Sequence, residues 1–81
     1  EMKIYGIEIS QEQQAAGLSV MADEFYAITV QRALEAAGVP QTAQVSGWSI
    51  QYISSRVADR LLQKKRRSGD IYYKAGRWVA K

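Results

Sequence analysis

The period of the apolar positions changes along the chain, and the changes divide it into elements. Lys3-Ile4-Tyr5-Gly6-Ile7-Glu8-Ile9 alternates weakly and carries β-branched residues, which predicts a short strand or extended arm over 1–9, bent at Gly6. Ser10-Gln11-Glu12-Gln13 then fits a capping box, with Ser10 as N-cap and Gln13 reaching back to its amide. A first helix follows over about 11–22, since Ala15, Leu18, Met21 and Ala22 fall on one helical face. Gly17 inside it costs about 1 kcal/mol relative to alanine. Asp23-Glu24-Phe25-Tyr26 breaks that helix and turns aromatics inward.

A second helix is expected over about 28–37, where Val30, Ala33, Leu34 and Ala37 are spaced i, i+3, i+4 and i+7. Gly38 stands where a left-handed C′ residue belongs, and Pro40 prevents quick resumption. Residues 40–47 read as a polar connector, longer than the tight turn of a helix-turn-helix. A third helix is expected over about 49–68. Ile50, Ile53, Val57 and Leu61 form its apolar stripe, widened by Ser54, Ala58 and Leu62. Lys64, Lys65, Arg66 and Arg67 load its last turn with cations, which suits the negative end of the helix dipole, and Gly69 is the natural stop. Residues 70–74 and 77–81 read as two strands of a hairpin around Ala75-Gly76. Trp78 reads as core against the third helix, and Trp48 as either a staple onto the core or an exposed contact.

With 81 residues the chain has room for one domain, 1–81. It is α+β in class, mainly helical over 11–68 with a small hairpin at 70–80. A chain this short buries only about 60–65% of its unfolded surface. No cysteine and no histidine are present, which removes disulfides, zinc-thiolate sites, thiol chemistry and the commonest general base. Met2 reads as the natural start, with Glu1 an added residue. The start lacks a basic region followed by an apolar stretch, so no secretory leader is expected, and a cytoplasmic setting fits best.

Charge adds an asymmetry that the net value of +3 hides. Residues 1–45 carry two bases and six acids, net −4, whereas residues 46–81 carry nine bases and two acids, net +7. Such a split argues for an anionic partner or for a solvated basic helix face. The acids are scattered, and neither a phosphate-binding loop nor a dinucleotide fingerprint is present, so an enzyme is not expected. No cofactor or metal is implied.

The order of elements ends in a basic helix that runs straight into a hairpin. The stretch Val57-Ala58-Asp59-Arg60-Leu61-Leu62-Gln63-Lys64-Lys65-Arg66-Arg67-Ser68-Gly69-Asp70-Ile71, continued by Tyr72-Tyr73-Lys74-Ala75-Gly76-Arg77-Trp78, resembles the winged helix-turn-helix family. The resemblance is to its small stand-alone bacterial and phage members, over about residues 11–80. Phe25 ahead of Val30, Ala33-Leu34 and Gly38 is similar to the helix that precedes the recognition helix. The chain departs from the pattern in its long connector and in lacking a Ser, Thr or Asp cap near Tyr26-Ala27.

The resemblance implies a three-helix domain that binds double-stranded DNA as a small transcriptional or mobile-element regulator. Its third helix would enter the major groove and its C-terminal wing would meet flanking backbone or minor groove. Ser49, Gln51, Tyr52, Ser55 and Arg56 would then reach bases and phosphates, Arg56 matching guanine and Gln51 adenine. Arg60 would join them, or else bridge to Asp59, Glu24 or Asp23. Lys64 would approach phosphates, and Lys74 and Arg77 bracket the wing turn. A homodimer through the first helix or arm, or a partner protein, would supply added specificity. The rival expectation is a protein-interaction module on the same fold. Single-strand binding through Tyr52, Tyr72 and Tyr73 and membrane binding rank lower.

Overall fold

In a computed structural model describing residues 2–47 and 49–81, the chain runs β1 (Met2–Ile4), β2 (Ile7–Ile9), α1 (Gln11–Leu18), β3 (Glu24–Phe25) and α2 (Ala27–Ala36). It continues β4 (Thr42–Val45), β5 (Ser49–Tyr52), α3 (Ser54–Arg67), β6 (Ile71–Lys74) and β7 (Arg77–Ala80). The result is a small α+β domain of three helices and antiparallel sheets. Trp48 lies outside the described residues. No helix among them is long and apolar enough to cross a membrane.

Pairs of left-handed residues create the hairpins. Tyr5-Gly6, Ser46-Gly47 and Ala75-Gly76 each put two consecutive residues at positive φ, the twist that suits antiparallel strands. The stretch expected as one strand or arm is therefore the hairpin β1–β2, with Ile4 opposite Ile7. The C-terminal hairpin β6–β7 forms as expected, with Lys74 opposite Arg77, and β3 adds to β7 in the order β3-β7-β6.

The third hairpin corrects the sequence reading. Residues 40–47 are not a plain connector, and the third helix does not begin at 49. Thr42–Val45 pairs with Ser49–Tyr52, and α3 starts at Ser54. The reversal at Ser46-Gly47 brings two segments of period-2 alternation together. Their ladder satisfies backbone groups that a helix end would leave open. The Ile53 amide donates to the Gln41 carbonyl at 2.9 Å and ties the base of this ribbon to the start of α3. Ile50, expected on the α3 stripe, is exposed on β5. Ile53, Ser54, Val57, Ala58, Leu61 and Leu62 are buried as the spacing requires.

The capping box forms: the Gln13 amide donates to Ser10 Oγ at 3.1 Å and the Ser10 amide to Gln13 Oε1 at 3.0 Å. Yet α1 stops at Leu18 rather than 22. The Met21 amide donates to the Leu18 carbonyl at 3.0 Å, and Asp23 turns to a φ of 55°, closing the chain toward β3. The inward face also differs. Ala15 and Ala22 are exposed, and Gln13, Gln14, Gly17 and Leu18 face the body. The glutamines are tolerated there because Gln13 Nε2 donates to the Ala37 carbonyl and Gln14 Nε2 to the Ile9 carbonyl, at 3.3 and 3.0 Å.

Helices α2 and α3 end alike. Gly38 and Gly69 are left-handed. Val39 donates back to the Leu34 carbonyl and Asp70 to the Lys65 carbonyl, so each end closes as a Schellman motif. No side chain caps the start of α2 at Tyr26. The core gathers Met2, Ile4 and Ile9 of the first hairpin, Phe25, Val30, Leu34 and Val39, the α3 stripe, Ile71 and Trp78.

Gly17 permits the closest helix approach. A Cβ there would stand 2.9 Å from Leu34 Cδ2 and 3.0 Å from Leu61 Cδ1. Both leucines are buried in the core, so a side chain at position 17 displaces packed atoms. Gly17→Ala gains about 1 kcal/mol of helix propensity but meets an overpacking cost of about 1–3 kcal/mol. We expect a net loss of stability of about 1 kcal/mol in urea unfolding; a more stable variant would contradict this packing.

Candidate functional site

Helix α3 has two faces of opposite chemistry. Its apolar stripe is buried, while Ser55, Arg56, Asp59, Arg60, Lys64, Arg66 and Arg67 are exposed. Arg56, Arg60, Lys64 and Arg67 follow one another at spacings of three and four, so their stems form one cationic stripe. Among the described residues none of these four makes an ion pair, and Asp59 is the one acid on the helix. The alternative role of Arg60, a bridge to Asp59, Glu24 or Asp23, is not formed among the described residues.

The start of α3 is fixed from inside. Ile53 and Ser54 are fully buried, and Ser54 Oγ donates to Glu35 Oε2 of α2 at 2.7 Å. Glu35 also accepts from Gln31 Nε2 at 3.1 Å and from Arg32 at 3.2 Å. The Ser54 hydrogen bond, then those of Gln31 and Arg32, hold its carboxyl below the ordinary glutamate range. This cluster locks α2 to α3 two residues before Arg56.

The remaining expected residues are divided. Arg56 packs its guanidinium 5.5 Å from the ring centroid of Tyr5, at the tip of the first hairpin. Ser49, Gln51 and Tyr52 are on β5, not on a helix. Strand alternation sends Ser49 and Gln51 to the face shared with Ala43 and Val45, and Tyr52 to the opposite, solvent face. Lys74 is exposed beside the Ala75-Gly76 turn. Arg77 is half-buried and paired with Glu24 at 3.2 Å across β7–β3. Trp78 is buried, with Tyr73 edge-on to it at 5.2 Å.

Two contributors escaped the sequence reading. Tyr5 reaches the cationic stripe because its arm is a hairpin, for which the only signal was the glycine after it. Lys81 lies 5.9 Å from the Tyr72 ring on the outer face of the sheet, a contact set by the β6–β7 register. A cleft of about 250 Å³ between α1 and the end of α3 is floored by Leu18 and Leu61. On its rim Lys65 pairs with Asp70 at 3.6 Å. Among the described residues, no group of acids, histidines and cysteines gathers to hold a metal.

No protein-family model matches the chain, no curated protein matches it, and no solved structure matches it.

The Ser54–Glu35 contact gives a pH-dependent prediction. A carboxyl with a lowered folded pKa stabilises the fold above its unfolded pKa, and that contribution is lost as pH falls through the folded value. Asp70, lowered by Ser68 and Lys65, adds to the same acid-side loss. Ser54→Ala should therefore be less stable than wild type at neutral pH, with the gap narrowing below the glutamate range. Thermal unfolding across pH checks this; a gap independent of pH would contradict it.

Proposed function

We propose that this domain is a winged helix-turn-helix that binds double-stranded DNA, as a small transcriptional or mobile-element regulator, with α3 as recognition helix and β6–β7 as wing. The observation that carries the reading is the exposed, unneutralised stripe Arg56–Arg60–Lys64–Arg67 on a helix whose other face is committed to the core. The order α1, β3, α2, α3, β6, β7 with sheet order β3-β7-β6 supports it, since a helix then meets a hairpin at its exit. Segment 40–47, which would have favoured a protein-interaction module by covering α3, leaves Ser55, Arg56, Asp59 and Arg60 exposed.

A helix about 10–12 Å across fits the major groove. Arg56 and Ser55 stand at the N-terminal end, from which base edges are usually read. Arg60, Lys64 and Arg67 follow along the phosphates. Lys74 at the wing turn meets flanking backbone. Arg77 contributes less, because Glu24 already holds its guanidinium.

Fluorescence anisotropy with random-sequence duplex at two salt concentrations tests the reading. Four phosphate contacts, from Arg60, Lys64, Arg67 and Lys74, give a log–log salt slope of about −3.6. Arg56→Ala/Arg60→Ala/Lys74→Ala should bind more weakly with a slope of about −2. Absence of wild-type binding at tens of micromolar in low salt, or equal binding by the variant, would overturn it.

A further inference from the structure

The turn of the first hairpin is built on an unfavourable residue. Tyr5 and Gly6 are the left-handed pair that joins β1 to β2, and Tyr5 holds a φ of 50°. The equivalent position is Ser46 in β4–β5 and Ala75 in β6–β7, both small residues. Left-handed backbone favours glycine, asparagine or aspartate, and a bulky side chain there is strained. Such strain points to a use for the side chain outside the turn itself. The core does not require the ring, since Met2, Ile4 and Ile9 carry the burial of this hairpin and Tyr5 is 41% exposed.

What the ring meets is Arg56, whose guanidinium carbon lies 5.5 Å from the Tyr5 ring centroid. That is within reach of a cation–π contact. Arg77 is held in the opposite way. Glu24 pairs with its Nε at 3.2 Å, which offsets the charge and occupies part of the donor fork. An aromatic face carries no formal charge and takes up no ordinary hydrogen bond. Arg56 is therefore held with its charge and its N–H donors still available. Both sides of the contact stand on anchored elements. The buried residues of the hairpin fix Tyr5, and buried Ile53 and Ser54 fix the first turn of α3.

We infer that Tyr5 is a positioning residue for sequence reading: its ring holds the Arg56 guanidinium in place for a base edge. This rests on the DNA-binding reading above. Arginine pairs bidentately with O6 and N7 of guanine, and that geometry rewards a guanidinium whose orientation is set before contact. Tyr5 supplies the orientation and Arg56 the donors. The phosphate contacts remain with Arg60, Lys64, Arg67 and Lys74. The first hairpin thus serves α3 through its tip, while its strands serve the core.

The test measures the ratio of two affinities, for the duplex that wild type selects from a random-sequence pool and for random-sequence duplex. Tyr5→Asn suits the left-handed turn, so it should keep or exceed wild-type stability in urea. Its affinity ratio should nonetheless fall about fivefold, the worth of an exposed cation–π contact, at an unchanged salt slope. Tyr5→Phe keeps the ring and should keep the ratio. On an Arg56→Ala background, Tyr5→Asn should change nothing further. Tyr5→Gly stands in if the asparagine variant unfolds. An unchanged ratio in Tyr5→Asn, or the same loss on the Arg56→Ala background, would overturn the positioning role and leave the DNA reading standing. Absence of wild-type binding to either duplex would overturn both.

Discussion

Everything that positions α3 depends on how closely three helices meet at Gly17. With no Cβ at that position, Leu34 of α2 and Leu61 of α3 press directly against the α1 backbone. A glycine that weakens a helix by local propensity is here the condition for packing it. The same approach lets the Gln13 side chain reach the carbonyl at the end of α2, so one glutamine caps α1 and satisfies α2. In a chain that buries so small a share of its surface, such shared contacts replace a deeper core.

From that contact the division of labour on α3 follows. Its stripe from Ile53 to Leu62 is consumed by the core, leaving a mainly cationic face on which Asp59 is the one acid. Ser54 and Glu35 set the rotation of the first turn, so Arg56 leaves the domain in a defined direction and meets Tyr5. The acidic half of the sequence contributes few partners for this face. Arg32 takes Glu35, Arg77 takes Glu24, and Lys65 takes Asp70, and all three of these bases lie off the stripe. The field of the domain is therefore asymmetric for structural reasons as well as compositional ones.

Local chemistry was legible in the sequence, and long-range geometry was not. The Ser10–Gln13 box, the stops at Gly38 and Gly69, the α3 stripe and the C-terminal hairpin each depend on residues a few positions apart. The ribbon was missed because Ile50 extends the Ile53–Val57–Leu61 spacing by accident, and because 40–47 reads as polar connector when only one of its faces is inward. Ser46-Gly47 was the available turn signal. On α1 the inward side chains are glutamines bonded to carbonyls, which an apolar pattern cannot register. Of the candidate site, Ser55, Arg56, Arg60, Lys64 and Lys74 stand exposed where a partner can reach them. Ser49 and Gln51 were assigned to a helix that begins after them, and the Glu24 partner of Arg77 is distant in sequence.

The proposed function requires the α3 stripe to face duplex DNA. The most direct measurement is the change in backbone amide resonances of the isotope-labelled chain on titration with a short duplex. Changes should concentrate over the first turns of α3, with further changes at the Lys74–Arg77 turn and little on the outward side of α1. Changes centred on α1 or α2, or none at all, would contradict it.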